Sequence, residues 1–268
     1  MKPDGTELSG LTIVNSSNGF IETIALPATG TYTLSLNPMW LFTGQATLAL
    51  YTVSDITGPI TPDGTAVPLT LTTPGQNAPL TFSGTAGQKV SATLTNSTFS
   101  CGCNTVRFAI LKPDGTELSG LTIVNNGNGF IDTVTLPTTG TYTLSLNPMW
   151  LYTGQATVKL YTVVDVTGSL TIGGAAVPIS LSTPGQIAQL TFSGTASQLL
   201  TVRITSNTIS SVTVKLLKPD ATVLTSTTSS VASFNLTQQT LPTTGTYTVA
   251  VDPPGSNTGG LSVSVTSP

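Results

Sequence analysis

The sequence predicts an all-β chain of tandem eight-stranded antiparallel sandwiches of jelly-roll type, the first of them incomplete. Three observations lead there. Short runs rich in Val, Leu, Ile and Thr alternate with Gly, Pro and Asn turns along all 268 residues. Turn signals recur roughly every 8–12 residues, as they do in sandwiches. Finally, the segment GTYTLSLNPMWLYTGQATVKLYTV, Gly140 to Val163, recurs almost letter for letter at Gly30 to Val53 and in a drifted form from Gly245 to Pro268. A repeat of this length makes the chain two and a half copies of one module. In each copy two alternating apolar/polar runs flank a loop, which reads as a hairpin-like closing pair.

The elements follow in order. Lys2-Pro3-Asp4-Gly5-Thr6 is a β-turn in which Pro presets φ and Gly accepts a positive φ. Strand-like runs follow at Leu8–Val14, Phe20–Leu26, Thr31–Leu36 and Ala46–Val53, and Asp55-Ile56-Thr57-Gly58-Pro59 reads as a connector. The first complete module has runs at Ala66–Thr72, Pro79–Gly84, Lys89–Phe99, Thr105–Leu111, Leu118–Val124, Phe130–Leu136, Thr141–Leu146 and Ala156–Val163. Its turns are Thr73-Pro74-Gly75-Gln76, Lys112-Pro113-Asp114-Gly115 and Leu136-Pro137-Thr138-Thr139-Gly140. Asp165-Val166-Thr167-Gly168 repeats the connector, and matching landmarks run to the end of the chain: Thr183-Pro184-Gly185-Gln186, Lys218-Pro219-Asp220, Leu241-Pro242-Thr243-Thr244-Gly245. The offset from Lys2 to Lys112 is 110 and from Lys112 to Lys218 is 106, the difference being the Cys101–Asn104 insertion. Three units result: 1–57, the C-terminal half of a module plus connector; 58–168, a complete module plus connector; and 169–268, a second complete module. Met1 stands where the second copy has Leu111, so the chain reads as beginning in mid-module. Half a sandwich leaves an apolar face uncovered, so residues 1–53 are expected to be truncated or to pair with a neighbour.

Composition excludes several functions. Only 7% of residues are charged, against a usual ~25%. With 38% hydrophobic residues and a mean hydropathy of +0.27, the chain is nonetheless no disordered polyampholyte. Eight scattered Lys and Arg, a net charge of −3 and a pI near 4.6 argue against a nucleic-acid partner. No apolar run approaches the ~20 residues of a membrane span. An extracellular or cell-surface location is inferred from composition alone.

The unit with GTYTLSLNP and TGQATVKLY resembles the bacterial pre-peptidase C-terminal domain, a secreted jelly-roll-like sandwich. The fuller signature TTPGQ, LTFSGTAGQ, ILKPDGT and LPTTGTYTL is similar to tandem units of large bacterial surface proteins, including those with Rhs/YD repeats. The resemblance covers essentially the whole chain and implies accessory roles: spacers, adhesive modules or secretion-associated units. Where related units have an Asp-Pro-Gly-type loop, as Asp252-Pro253-Pro254-Gly255 does, the first two copies have Asn-Pro-Met-Trp-Leu.

With no His in the chain, Ser-His-Asp and Cys-His nucleophile systems and histidine metal sites cannot exist. The cations stand singly, and Lys2, Lys112 and Lys218 each precede Pro-Asp in a turn, which leaves a Ser-Lys pair without support. Asp114 and Glu117 recur as Asp4 and Glu7, but the third copy has Val223 for the Glu, so these read as solvated turn residues. No catalytic residue is assigned, and the chain reads as a non-enzyme needing no cofactor. Calcium is a weak competitor at the connector acids Asp55 and Asp165, because each stands alone without a D-x-D-x-D run. Cys101 and Cys103 form a lone C-x-C that reads as a free loop pair or a small disulfide. Met39, Trp40 and Phe42, and their counterparts Met149, Trp150 and Tyr152, put apolar residues in a loop. They plug the sandwich end or meet the next module, or they form an exposed surface for a protein or for the face of a sugar. The reading is a non-catalytic extracellular stalk or spacer, with adhesion as an extension; the alternative is a carbohydrate-binding module using Trp40 and Trp150. Neighbouring modules of the same polypeptide are the expected partners, with a cell-surface polysaccharide or protein beyond them.

Overall fold

The computed structural model describes residues 1–11, 18–99, 104–124 and 127–267. No helix occurs among the described residues, and the fold is all-β. The second module contains β1 (Gly58–Pro59), β2 (Val67–Leu71), β3 (Ala78–Gly84), β4 (Lys89–Thr95), β5 (Asn104–Leu111), β6 (Glu117–Val124), β7 (Gly129–Thr135), β8 (Gly140–Pro148) and β9 (Gly154–Thr162). Each of the eight runs read from the sequence overlaps one of the strands β2–β9, in order. One sheet has the order β1-β3-β8-β5-β6, the other β2-β9-β4-β7. Numbering the eight main strands 1 to 8, these are 2-7-4-5 and 1-8-3-6, the interleaving of a jelly roll.

The third module repeats it with β10 (Val166–Ser169), β11 (Val177–Leu181), β12 (Ala188–Gly194), β13 (Leu199–Thr205), β14 (Val212–Leu217), β15 (Val223–Ser229), β16 (Phe234–Asn235), β17 (Gln239–Thr240), β18 (Gly245–Asp252) and β19 (Gly259–Thr266). Its sheets are β10-β12-β18-β14-β15 and β11-β19-β13-β16, with β17 also on β13. Each module closes over its own core. Phe82, Phe108, Tyr142, Leu144 and Leu160 lead the second, and Phe192, Val214, Tyr247, Val249 and Val263 the third. The strict alternation of buried and exposed residues along β3, β8 and β18 gives each sheet one dry face.

Three expectations need correction. The closing pair is no hairpin: β8 and β9 lie in opposite sheets, so the Met-Trp-Leu loop is an arch crossing the sandwich edge. The eight main strands of the second module pair antiparallel as expected, but the connectors are more than links: they contribute β1 and β10, which pair in parallel with β3 and β12. Each connector is therefore hydrogen-bonded into the module that follows it. The third correction concerns residues 1–57. The runs at Leu8–Val14, Phe20–Leu26, Thr31–Leu36 and Ala46–Val53 form no strand among the described residues, although they are counterparts of β6, β7, β8 and β9. The pairing scheme explains why. β6 pairs with β5, β7 with β4, β8 with β3 and β5, and β9 with β2 and β4. None of these four strands pairs with another of the four, so a second half-module contains no partner for itself.

Candidate functional site

The two Met-Trp-Leu loops are built alike. Each closes a turn in which the N–H of Phe42 or Tyr152 donates to the carbonyl of Met39 or Met149, at 3.2 and 3.3 Å. The turn drives its first central residue to positive φ, 57° at Trp40 and 59° at Trp150. The third module meets the same requirement with Gly255 at 64°. An L residue in this region costs on the order of 1 kcal/mol, so the turn favours Gly and the indoles are carried against that preference. Trp40 is 89% exposed and Trp150 53%, with Met39, Leu41, Phe42, Met149 and Leu151 exposed beside them. The plug reading of the loops is therefore incorrect: the arch swings both indoles outward, leaving the core to residues such as Leu144 and Leu146.

A second constellation lies at the junctions between units. The Thr-Pro-Gly-Gln turn of each module faces the unit before it. Thr23 Oγ1 donates to the Gly75 carbonyl at 2.9 Å, and Thr133 Oγ1 to that of Gly185 at 2.8 Å. Gly75 and Gly185 have φ of 82° and 83°, and a Cβ on either would collide with the approaching threonine hydroxyl. Only glycine serves here, for conformation and for space together. Gln76 Nε2 donates to the Ser54 carbonyl at 2.7 Å while its Oε1 accepts the Thr72 N–H; Gln186 repeats both bonds with Val164 and Ser182. The connector acids complete the set. Asp55 Oδ1 accepts the Asn77 N–H at 2.9 Å and Asp165 Oδ1 the Ile187 N–H at 3.4 Å. The second junction adds two bonds, from Lys89 Nζ to Asp165 Oδ2 and from Ser91 Oγ to the Pro184 carbonyl, both 2.6 Å. Asp55 and Asp165 are thus occupied as junction acceptors, and no cluster of three potential metal-ligating side chains occurs among the described residues.

The first junction also holds a cleft of about 500 Å³. Met149 and Trp150 form its apolar wall, Glu22 and Thr23 of the first unit face it, and Asn77, Asn147 and Arg107 make up the rest. The register explains these three. Arg107 on β5 is directly opposite Asn147 on β8, and Ala78 is opposite Leu146, which puts Asn77 beside Asn147. One outward-facing polar row therefore crosses three adjacent strands at the end of the sheet. Arg107 donates from Nε and Nη2 to the Glu117 carboxylate and from Nη1 to Thr122 Oγ1. The corresponding row of the third module reads Ile187, Asp252 and Thr213.

The turn acids are placed as expected. Asp4, Asp114 and Asp220 each accept the hydroxyl of the threonine two residues on, at 2.6 Å, and its N–H. Those bonds, helped by the preceding lysine, hold all three carboxyls below their ordinary range. Cys101 and Cys103 lie outside the described residues. Sequence reasoning found the tryptophan loops and the connector acids but not the cleft. The recurrence of Gln76 and Gln186 in both turns was a usable signal for the junction. Asn77, Arg107 and Asn147 are far apart in the chain and meet only through strand register.

No family model matches the chain, and no curated protein matches it. Solved structures give weak likenesses. Aeromonas hydrophila PliG, a periplasmic lysozyme inhibitor of g-type lysozyme, is 18% identical over 38% of this chain and 99% of its own, with a TM-score of 0.29. The CUB1-EGF-CUB2 domains of rat MASP-1 are 9% identical over 80% and 100% of the two chains, with a TM-score of 0.23. The tandem CBM22 domains of Paenibacillus barcinonensis Xyn10C are 8% identical over 70% and 82%, also with a TM-score of 0.23. At such scores these likenesses carry no argument about function.

Proposed function

We propose that the chain is a non-catalytic extracellular array whose modules are stacked in fixed orientation, a stalk or spacer that sets distance and direction. The observation that carries this reading is the repeated junction. The same threonine, glycine, glutamine and aspartate make the same bonds at both places, and the connectors enter the following sheet as β1 and β10. A flexible linker would leave its backbone solvated; here the backbone amides of Ile56 and Val166 donate to Asn77 and Ile187 at 2.9 Å. The Thr-rich outer faces, Pro-fixed turns and low charge suit long exposure outside a cell.

Small-angle scattering of the full chain, beside an Asp165→Ala/Gln186→Ala variant, tests the spacer. The expected result is a narrow, elongated distance distribution that broadens in the variant. Equally broad distributions for the two proteins would overturn it. Recovery of the native protein solely from cytosol would overturn the extracellular placement.

A further inference from the structure

The cleft at the first junction has features that a spacer does not require. We propose that it is a binding site for neutral pyranose sugars, with Trp150 as the stacking platform and Asn77, Asn147 and Glu22 as the groups that read the hydroxyls. The inference goes beyond the spacer reading and does not depend on it.

Four observations converge. The first is the indole itself: half exposed, carried on a positive-φ turn that the third module builds with Gly255. A pyranose ring presents an apolar face of axial C–H bonds, which packs on such a platform. The second is the polar row. The side chains of Asn77, Asn147 and Glu22 make no hydrogen bond among the described residues, although each borders the cleft. Each asparagine offers a paired donor and acceptor, and Glu22 offers acceptors, the complement of vicinal hydroxyls that both donate and accept. The third is charge. Arg107 is matched by Glu117, so the remaining formal charge on the cleft is the carboxylate of Glu22. That repels acidic sugars, phosphates and nucleotides and leaves neutral glycans favoured. The fourth is volume: about 500 Å³ falls within the usual range for small-ligand sites.

The site is also particular to this junction. At the second junction the indole is replaced by Gly255, Asn77 by Ile187, Asn147 by Asp252 and Arg107 by Thr213, while the junction bonds are kept. Thr23, which holds the units together, recurs as Thr133, and the acid Glu22 recurs as Asp132, whereas the indole and the row of Asn77, Asn147 and Arg107 do not recur. That division is expected if they serve different ends. Because Glu22 stands on the unit before the connector and the other groups after it, an occupied site spans the joint.

The test uses the full chain on an array of neutral and anionic glycans. The best neutral binder is then titrated against the Trp40→Phe protein, in which Trp150 fluorescence reports alone. The expected result is saturable binding of a neutral glycan with a shift in Trp150 emission, weakened ~10-fold or more by Asn147→Ala and by Asn77→Ala. Trp150→Gly restores the residue the third module uses; it should abolish binding while keeping the thermal midpoint. An array with no neutral binder, or with anionic binders only, overturns the proposal. So does neutral-glycan binding that survives Trp150→Gly, or a Trp150→Gly protein that melts well below its parent, which would return the indole to packing. The scattering experiment on the junction variant is unaffected by any of these outcomes.

Discussion

Gly30–Val53 and Gly140–Val163 differ at only three positions, Phe42/Tyr152, Leu48/Val158 and Ala49/Lys159, yet only the second forms strands. What survives in both is local. The turn at Lys2 closes with the Lys2 N–H on the Thr6 carbonyl at 2.7 Å, and the turn at Lys112 does the same at 2.8 Å. Tyr32 Oη donates to the Ala28 carbonyl, and Tyr142 Oη to that of Thr138, both at 2.7 Å. The Met-Trp-Leu turns match as well. What differs is everything that needs a distant partner. Leu34 is 52% exposed and its counterpart Leu144 1%; Leu50 is 89% exposed and Leu160 is fully buried. A β pattern in sequence is an offer of pairing, and the interleaved order of a jelly roll places every acceptor of that offer outside its own half.

The contrast is broken most severely by truncating matched leucines. Leu160→Ala removes a fully buried side chain from the second core and should cost about 2–5 kcal/mol. Leu50→Ala, the same change on the same local sequence, should lie within about 0.5 kcal/mol of the parent. Urea unfolding of the full chain followed by circular dichroism measures both. Equal losses would mean that residues 44–53 are packed in solution as β9 is, and the contrast would be gone.

The same division explains how much was legible. The eight runs of the second module match β2–β9 because alternation and turn chemistry act over a few residues, as at Lys112-Pro113-Asp114-Gly115. The runs before Val53 form no strand among the described residues, for a reason invisible to any local window: the counterparts of β6–β9 need β2–β5. The connectors looked like linkers because Asp55-Ile56-Thr57-Gly58-Pro59 is short and turn-rich, and nothing in it announces parallel pairing with β3. The indoles of the candidate site were visible as apolar letters in a loop. The row of Asn77, Asn147 and Arg107 was not, because neighbours across three strands are set by register, and the sequence gives no register between Asn77 and Asn147.

The junctions sharpen the contrast at a smaller scale. Gln76 and Gln186 make the same bonds, but the second junction is reinforced by Lys89–Asp165 and Ser91–Pro184. Losing one neutral hydrogen-bonding side chain costs about 1 kcal/mol. The loss should open the first junction more than the second, because fewer bonds remain there to hold it. Amide hydrogen exchange at Asn77 in Gln76→Ala should therefore accelerate more than exchange at Ile187 in Gln186→Ala. Equal acceleration would show that the lysine and serine contacts add nothing to the joint.

The finest test asks whether the local elements are truly independent of the sheets. Asp4 and Asp114 sit in identical turns, one in the first unit, whose described residues form no strand, and one between β5 and β6. Both carboxyls are held below the ordinary aspartate value, first by the hydroxyl of Thr6 or Thr116, then by its N–H, with the preceding lysine assisting. A carboxyl whose pKa is lowered by the formed turn stabilises that turn above the ordinary pKa, and the contribution is lost as pH falls through the lowered one. Carboxyl carbon NMR titration should therefore give depressed midpoints of similar size at both residues, each returning toward the ordinary value in Thr6→Ala or Thr116→Ala. The effect on global unfolding should be slight, since both groups are exposed. If Asp4 titrates as an ordinary aspartate while Asp114 stays low, the turn needs its flanking strands, and the claim that local structure persists where pairing fails is wrong.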